Sequence, residues 1–428
     1  MKMRIACITA GAGRMYCGSC LRDNALAGAL LAAGHDVLLI PTYTPTRTDE
    51  TNVSMPRVFL GGINIFLQQH FAFFRTSPDI LDRLWDLNPV LRLVTRLGMS
   101  VNPTDLGSLT VSMLQGTKGF LKKEILKLVR FLKELSPEVI NLPNSLLTSL
   151  APAIKTEMKV PVCCTLQGED FFLGSLREPF RKESLRLIRE NAAFVDAFIA
   201  VSHFGARSMA EYLGIDRDRI HVVPLGMSFD GFECGNARDA EPFTIGYLAR
   251  IAPEKGLHFL CDAYRLLRSR RGLVPSRLWA AGYLAPEHAS YLSTIRRSMD
   301  SWGLSQQFNY HGELDRSDKL NFLQNLSVLS VPESYAEPKG LFLLEALACG
   351  IPVVQPRRGA FVEILETTGG GILVEPDKPE ALADGLLELW QDPQRRIALG
   401  DQGSRAVREH YNSNRMAAAA LAIYRSII

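Results

Sequence analysis

Residues 333–354 read Glu-Ser-Tyr-Ala-Glu-Pro-Lys-Gly-Leu-Phe-Leu-Leu-Glu-Ala-Leu-Ala-Cys-Gly-Ile-Pro-Val-Val, and this stretch decides how the rest of the chain is interpreted. A proline and a glycine break regular structure just before an apolar run. The run predicts a helix over Leu341–Ala348, because Gly350 stands where a left-handed helix cap belongs. β-Branched residues follow at 351–354 and predict a buried strand. The stretch is therefore a loop, a helix and a strand in succession.

Glu345 is the anomaly of this stretch, because its helix has almost no other polar residue and a helix that is apolar all round is buried. A carboxylate is seldom fully buried without a partner. Glu337 and Gly340 lie beside the helix N-terminus, where free N–H groups favour an anion. Two interpretations stay open. Either the helix start receives a phosphate while both glutamates accept bonds from hydroxyls, or Glu337 is solvated and Glu345 bonds a backbone amide.

The length and composition set the class of protein. A chain of 428 residues is too long for one ordinary core, and 47% hydrophobic with 22% charged residues is a globular mix. A net charge of +3 does not indicate a nucleic-acid partner, and no apolar run is long enough to span a membrane. Eight scattered cysteines are typical of a reducing cytosol. We expect a cytoplasmic protein without a signal peptide.

The N-terminus predicts a β-α-β unit, with a strand at Arg4–Thr9, a helix at Leu21–Ala33 and a second strand at 35–40. The glycine-bearing loop at 10–18 lies at the carboxyl end of the first strand, where open α/β sheets bind ligands. Its glycines do not follow the dinucleotide pattern, so we expect no nicotinamide cofactor. Cys17-x-x-Cys20 is a redox pair, half a zinc site or a pair of structural thiols, and no second pair with metal spacing accompanies it.

Two further loops follow buried strands. Gln167, Glu169 and Asp170 come directly after the strand at 160–166, where they bind a ligand or form a turn capped by aspartate. Arg250 and Lys255 stand between the exit of a strand and the entry of a helix. From there both cations reach one diphosphate, or they belong to an ordinary solvated loop.

The region 42–113 is the least regular part of the first half. One interpretation is a helical insertion packed on the first domain. The other is an element that binds the acceptor or contacts the inner membrane surface, because basic and aromatic amphipathic helices favour lipid headgroups.

The quoted stretch resembles the E-x7-E signature of family-4 retaining glycosyltransferases, with Glu337 and Glu345 separated by seven residues and a Pro-x-Gly-Leu start. The resemblance covers nearly the whole chain outside residues 42–113. It implies an α/β protein of the GT-B class, with two facing Rossmann-like domains and a cleft between them. We expect three segments: an acceptor-binding domain at 1–230, a nucleotide-sugar domain at 243–410, and a C-terminal helix at 411–428 that packs on the first domain.

The resemblance also implies residue roles. Arg250 and Lys255 match the family's Gly-Arg-Leu-x-x-x-Lys-Gly string and would clamp the leaving diphosphate, while Glu337 would hold sugar hydroxyls. These three are the expected catalytic residues. Donor-binding residues are expected in the glycine loop, in the Phe-x-Gly string at 308–314 and at the helix start: Gly18, Gly312, Leu314, Gly340, Leu341 and Glu345.

The chain departs from the family pattern at two places. Gln167 occupies the slot of a histidine that reaches the transferred sugar, and Leu225 occupies the slot of an asparagine. An amide still bonds a sugar hydroxyl, so Gln167, Glu169 and Asp170 remain expected sugar or acceptor contacts.

The resemblance implies metal-independent transfer of a hexosyl unit, with retention, from a UDP, GDP or ADP sugar to a hydroxyl of a sugar, lipid or small-molecule acceptor. We expect no cofactor and no metal site. A nucleotide-sugar 2-epimerase on the same fold is the alternative enzyme. Two non-enzymatic alternatives also agree with the sequence. One is a scaffold protein that binds sugar nucleotides without converting them, and the other is a membrane-docked partner protein. The sequence does not identify the acceptor or the oligomeric state.

Overall fold

The structure is a computed structural model, and it describes residues 2–11, 15–60, 103–233, 241–270 and 276–428. The chain divides into two compact units. The first unit is Met1–Pro224 together with Met416–Ile428, and the second unit is Leu225–Arg415.

A parallel six-stranded sheet, in the order β2-β1-β3-β4-β5-β6, forms the centre of the first unit. Most of its strand residues are buried, as expected for a parallel sheet covered on both faces. The first strand is confirmed at its predicted bounds. The strands are β1 (Arg4–Thr9), β2 (Asp36–Pro41), β3 (Val139–Leu142), β4 (Val162–Leu166), β5 (Ala197–Ala200) and β6 (Ile220–Val222).

Helices connect these strands and cover both faces of the sheet. The first helix begins at Gly18, three residues earlier than the sequence predicts, and Ser202 caps α7 by accepting from the amide of Gly205. The helices are α1 (Gly18–Ala32), α2 (Pro103–Leu114), α3 (Lys122–Leu135), α4 (Leu150–Glu157), α5 (Asp170–Ser175), α6 (Phe180–Ala192) and α7 (His203–Leu213).

The second unit contains another parallel six-stranded sheet, in the order β12-β11-β10-β7-β8-β9. Its first strand continues into the loop that carries Arg250 and Lys255, so both cations follow the carboxyl end of a central strand. The strands are β7 (Phe243–Leu248), β8 (Ser276–Ala281), β9 (Phe308–Tyr310), β10 (Val328–Leu329), β11 (Val353–Pro356) and β12 (Gly371–Val374).

The helix predicted over Leu341–Ala348 is confirmed at those bounds and is α11. Its residues from Leu343 onward are buried, in agreement with their apolar sequence. The other helices of this unit are α8 (Leu257–Ser269), α9 (Ala289–Ser301), α10 (Arg316–Gln324), α12 (Ala360–Thr368), α13 (Pro379–Gln391) and α14 (Pro393–His410).

The last helix, α15 (Ser413–Ser426), packs on the first unit. Its buried residues Met416, Ala420 and Tyr424 share one apolar cluster with Ile5 and Leu26 of the first β-α-β unit. The helix therefore contributes side chains to the core of the N-terminal sheet.

The chain leaves the first unit at Pro224, whereas the sequence places the end of that domain at residue 230. The reason is a set of contacts with the end of α14. The amide of Met227 donates to the carbonyl of Tyr411 at 3.0 Å, and the amide of Ser413 donates back to Met227 at 3.1 Å. The predicted linker at 230–242 lies largely outside the described residues.

The acceptor or membrane role expected for 42–113 concerns residues that mostly lie outside the described ranges, since 61–102 are not described. Within the described part of the chain, no helix is both long enough and apolar enough to cross a membrane.

Candidate functional site

Lys255 is the centre of a buried charge cluster in the second unit. It ends a short turn after β7 and is only 9% exposed. Its ammonium donates to Glu333 Oε1 at 2.7 Å, to Glu337 Oε2 at 2.8 Å and to the Tyr335 hydroxyl at 2.6 Å. The Tyr335 hydroxyl also bonds Glu337. An ammonium has three donors, so these three oxygens use all of them.

The charges of this cluster determine one another. Burial opposes ionisation of Glu337, but Lys255 and Lys339 lower its pKa to about 2. Burial likewise opposes the charged ammonium, but Glu337 and Glu333 raise the pKa of Lys255. Burial and the neighbouring Glu337 raise the pKa of Glu333 to about 8. At neutral pH the cluster therefore holds one ammonium, one carboxylate and one protonated carboxyl group.

The two loops that carry the cluster are fixed against each other by their backbones. Gly256 has φ +75°, and a Cβ at this position would lie 1.9 Å from the carbonyl oxygen of Pro332. The amide of Ser334 donates to the carbonyl of Glu254 at 3.0 Å. Because the loops approach this closely, the Lys255 ammonium has little freedom to leave the carboxylates.

Arg250 lies in the same loop but is less constrained. Its side chain is 41% exposed and its Nη2 is 3.3 Å from Glu254 Oε1. An exposed pair of this kind contributes little to stability. The guanidinium can therefore exchange this contact for an incoming anion at small cost.

The start of α11 is shaped by Gly340, which has φ +87° and is the residue before the helix. The loop leading to it is held at Glu337. The carbonyl of Glu337 accepts from the amide of Ala360 at 2.8 Å, and its carboxylate accepts from the amide of Lys339 at 3.2 Å. Like any helix N-terminus, the first amides from Leu341 onward have no carbonyl of their own helix to bind.

Glu345 is buried, and its Oε1 accepts from the ammonium of Lys319. This lysine lies on α10, a helix that Asp315 caps by accepting from the amide of Asp318. The sequence predicts that Glu345 requires a partner, but it gives no sign that Lys319 supplies it. The pair is a charged contact between two helices of the second unit.

The predicted donor-binding residues of the 308–314 string lie at the end of β9. The carbonyl of Gly312 accepts from the amide of Gly282 at 2.8 Å, and Leu314 is half-buried. Both residues lie in the loop that follows an edge strand of the second sheet.

The first unit has its own buried polar cluster after β4. Gln167 Nε2 donates to Asp23 Oδ1 at 3.3 Å and to the carbonyl of Pro143 at 2.9 Å, and its Oε1 has no hydrogen-bond partner among the described residues. Both carboxylate oxygens of Glu169 accept from backbone amides, those of Ser145 and of Gln167 itself. Glu169 therefore joins two loops, and the loops position Gln167.

Asp170 is the first residue of α5 and is partly exposed, while the capping position before it is Glu169 and no side-chain cap hydrogen bond forms there among the described residues. Gly18 is the first residue of α1, and a Cβ added to it would meet no described atom within 4 Å.

Arg22 and Asp23 are the charged residues of this cluster that the sequence does not reveal. Both lie on α1, with Arg22 only 1% exposed and its Nη1 3.1 Å from Asp23 Oδ1. Burial raises the pKa of Asp23, and Arg22 opposes that rise. A helical pattern of apolar residues would have placed these charges on a solvated face.

Cys17 and Cys20 flank the same helix start, and the thiol of Cys20 contacts that of Cys17. Neither cysteine forms a disulfide, and the contact with Cys17 together with burial raises the pKa of Cys20.

Two family profiles match the chain. Residues 234–406 match the family described as Glycosyl transferases group 1, and residues 109–230 match Glycosyltransferase Family 4. The first match contains the cluster around Lys255 and Glu337, and the second contains Gln167.

A similar curated protein is D-inositol 3-phosphate glycosyltransferase of Paenarthrobacter aurescens, which is 28% identical over 272 residues. That match covers 60% of this chain and 63% of the relative, so it spans about three-fifths of the relative's length.

Two solved structures share the fold. Sucrose-phosphate synthase of Thermosynechococcus elongatus superposes with a TM-score of 0.72 at 17% identity, covering 100% of this chain and 99% of that one. Anabaena HepE in complex with UDP and glucose gives a TM-score of 0.71 at 16% identity, covering 99% and 100%. At these identities the likeness concerns the fold, and it agrees with two Rossmann-like units.

Proposed function

Since the chain belongs to the family-4 glycosyltransferases of the GT-B fold, we propose that it transfers a hexosyl unit from a nucleotide-diphosphate sugar to an acceptor hydroxyl. The observation that carries this proposal is the buried Lys255 ammonium, which lies 2.8 Å from Glu337 in the loop before α11. A buried cation beside a helix N-terminus is suited to an anion. Glu337 adds a carboxylate at the same place that accepts hydrogen bonds from hydroxyl groups.

The diphosphate is the group that requires most help during the reaction. When the bond to the anomeric carbon breaks, negative charge develops on the leaving diphosphate and positive charge develops on the sugar ring. Lys255 and Arg250, together with the amides at Gly340 and Leu341, stabilise the negative charge on the leaving diphosphate. One such contact contributes about 2–4 kcal/mol to lowering the barrier.

The two carboxylates of the E-x7-E signature bind hydroxyl groups at different parts of the donor. Glu337 holds hydroxyls of the sugar ring and Glu345 holds those of the ribose. The ion pair with Lys319 orients Glu345 while it is buried. Gly312 and Leu314 contribute to the pocket for the base.

The acceptor side is proposed to involve the first unit. Gln167 offers a buried carbonyl oxygen, because its amide nitrogen is already bonded to Asp23 and to Pro143. It would therefore accept a hydrogen bond from a substrate hydroxyl. The anomeric configuration is retained, and the donor phosphate takes the acceptor proton. The two protein cations stabilise the leaving group in place of a metal ion.

A thermal-shift screen tests this proposal. The purified chain is measured with UDP, GDP, ADP and their hexose conjugates, beside Glu345→Ala and Arg250→Ala. A ligand at a hundred times its Kd stabilises by about 2.7 kcal/mol, so one nucleotide should raise the Tm of the wild type and neither variant should respond to it. No shift with any nucleotide would contradict the proposal.

An assay of turnover distinguishes a glycosyltransferase from a scaffold protein and from an epimerase. Proton NMR of the conjugate that binds should show release of the hexose, or its transfer to an added acceptor, with the α or β configuration of the donor preserved. Binding without any turnover would favour a scaffold protein, and conversion at the sugar C2 would indicate an epimerase.

A further inference from the structure

Glu333 is the member of the Lys255 cluster for which the proposed function provides no role. Its side chain is fully buried, and its Oε1 lies 2.7 Å from the Lys255 ammonium. Its Oε2 has no hydrogen-bond partner among the described residues. A buried carboxylate with one oxygen unpaired is costly when it is ionised. Glu333 is therefore held beside the cation without being fully stabilised as an anion.

The donor diphosphate would compete with Glu333 for the same ammonium. All three donors of Lys255 are occupied, by Glu333, Tyr335 and Glu337. A phosphate oxygen that binds Lys255 must replace one of these acceptors or share a donor with it. Replacement is easiest at an oxygen that carries no charge, because like charges around one cation repel each other.

The backbone of Glu333 is held in place by contacts on both sides. Its carbonyl accepts from Arg358 Nη1 at 3.1 Å, and the residue before it packs on Gly256. The next residue, Ser334, bonds the carbonyl of Glu254. The backbone on both sides of Glu333 is thereby fixed and keeps its carboxyl group beside Lys255, so loss of the charge of Glu333 is one way for the site to accommodate an anion.

We propose that Glu333 makes donor affinity depend on pH: the diphosphate binds while Glu333 is protonated, and the ionised carboxylate weakens binding by competing for Lys255. This inference rests on the proposed function of the same site. It assigns Glu333 a positioning role that acts through Lys255.

The other titratable groups around Glu333 stay in one state between pH 7 and pH 9. The pKa of Glu337 lies near 2, and that of Glu333 near 8. Burial and the two carboxylates raise the pKa of the Tyr335 hydroxyl, and burial raises that of Tyr247, a strand residue that also senses Glu333. The carboxylates raise the pKa of Lys255 against the effect of its burial.

Other charges near the cluster are Arg250, Glu254, Lys339 and Arg358, which contact the same two loops. Glu375, Asp377 and Lys378 line a cavity together with Glu333. Guanidinium groups keep their charge throughout this range. Glu333 is thus the carboxyl group of the cluster that changes protonation above neutrality.

The sign of the effect follows from linkage. A bound anion stabilises the protonated form of Glu333, so the complex holds this proton to a higher pH than the empty site. Affinity is therefore full below pH 8 and falls as the pH rises above it, with a limit of tenfold per pH unit. Between pH 7.5 and pH 9 the Kd should increase about five- to tenfold.

Isothermal titration calorimetry of the full chain, with UDP, GDP and ADP as probes, tests whether Glu333 makes nucleotide affinity depend on pH. At pH 9, heats measured in two buffers of different ionisation enthalpy should show uptake of close to one proton per nucleotide bound. Glu333→Gln should bind with the same Kd at pH 7.5 and pH 9 and take up no proton. The matched control Glu366→Gln, an exposed residue of the same unit, should behave as the wild type.

The outcomes separate this inference from the function on which it rests. Nucleotide binding without proton uptake by the wild type would overturn the role of Glu333 and leave the donor site in place. Proton uptake that persists in Glu333→Gln would also overturn the role of Glu333 and leave the donor site in place. If none of the three nucleotides binds at either pH, the proposed function fails, and the inference fails with it. The wild-type measurement decides the matter even if the variant does not fold.

Discussion

The two units bury charge in similar places but satisfy it to different degrees. In the second unit the Lys255 ammonium has an oxygen for each of its donors within 2.8 Å. In the first unit Arg22 is more deeply buried, yet its Nε and Nη2 have no partner among the described residues, and the same holds for Asp23 Oδ2. Burying a charge without partners is expensive. The difference lies in the cations: Lys255 has a partner for each donor although Glu333 Oε2 beside it has none, whereas two nitrogens of Arg22 have no partner among the described residues.

Removing the satisfied cation should have the largest effect. Lys255→Met leaves the Glu337 carboxylate buried without its counter-charge, and breaking a buried pair in this way costs about 3–5 kcal/mol. Urea denaturation at pH 7 should show a loss of that size. Lys378→Met is the control, since Lys378 forms an exposed pair with Glu375 and should change stability by less than about 0.5 kcal/mol. Equal effects of the two variants would show that the Lys255 cluster does not stabilise the unit.

The close approach of the two loops in the second unit predicts the next largest effect. Gly256→Ala adds a Cβ that would overlap the carbonyl oxygen of Pro332, at a left-handed backbone position. The backbone strain alone costs about 1–3 kcal/mol, and relief of the overlap would separate Lys255 from Glu333. We expect a lower Tm together with weaker nucleotide binding. A variant with unchanged Tm and affinity would mean that the loops are not held as described.

The unsatisfied cluster of the first unit should respond to pH. Burial raises the pKa of Asp23, so its contribution to stability is full below its unfolded pKa and is lost as the pH rises through its folded pKa. Asp23→Asn removes this ionisation. We expect the substitution to destabilise the protein less at pH 8 than at pH 5, because the wild type loses the contribution of the protonated Asp23 as the pH rises. Urea denaturation at the two pH values measures the difference.

The opposite pH dependence of Asp23→Asn would contradict this expectation. If Asp23→Asn is more destabilising at pH 8 than at pH 5, the carboxylate is stabilised in its ionised form. The guanidinium of Arg22 would then satisfy Asp23 as fully as Lys255 satisfies Glu337, and the contrast between the two units would disappear.

The smallest effect is expected at the glycine that starts α1. Gly18→Ala places a Cβ where no described atom lies within 4 Å, so the free energy of unfolding should change by less than about 1 kcal/mol. Differential scanning calorimetry measures this. A weaker affinity for nucleotide at unchanged stability would place Gly18 beside the donor, while a loss of stability like that of Gly256→Ala would show that the position is crowded.

The sequence predicts the local elements well because local patterns determine them. The apolar run after Gly340 predicts α11 at its observed bounds, and the pattern of the first 40 residues predicts the β-α-β start of the first sheet. The two parallel α/β units are expected from the family resemblance. The need of Glu345 for a partner also follows from the sequence, since a carboxylate on an apolar helix has few alternatives.

The partners themselves depend on contacts between distant parts of the chain. Lys319 meets Glu345 from another helix, and Lys255 meets Glu333 across 78 positions of sequence. Arg22 lies on a helix where its burial results from how α15 and the sheet pack around it. No local pattern distinguishes these residues from solvated charges. The assigned roles of Arg250, Gly312 and Gln167 remain predictions.

The central claim is that Lys255 and its loop recognise a diphosphate, and the most direct test compares a nucleoside with its diphosphate. Uridine, guanosine and adenosine are titrated beside UDP, GDP and ADP at pH 7, on the wild type and on Arg250→Ala. The account predicts that one diphosphate binds the wild type at least tenfold more tightly than its nucleoside, and that Arg250→Ala reduces this ratio. Equal affinities of nucleoside and diphosphate in the wild type would contradict it.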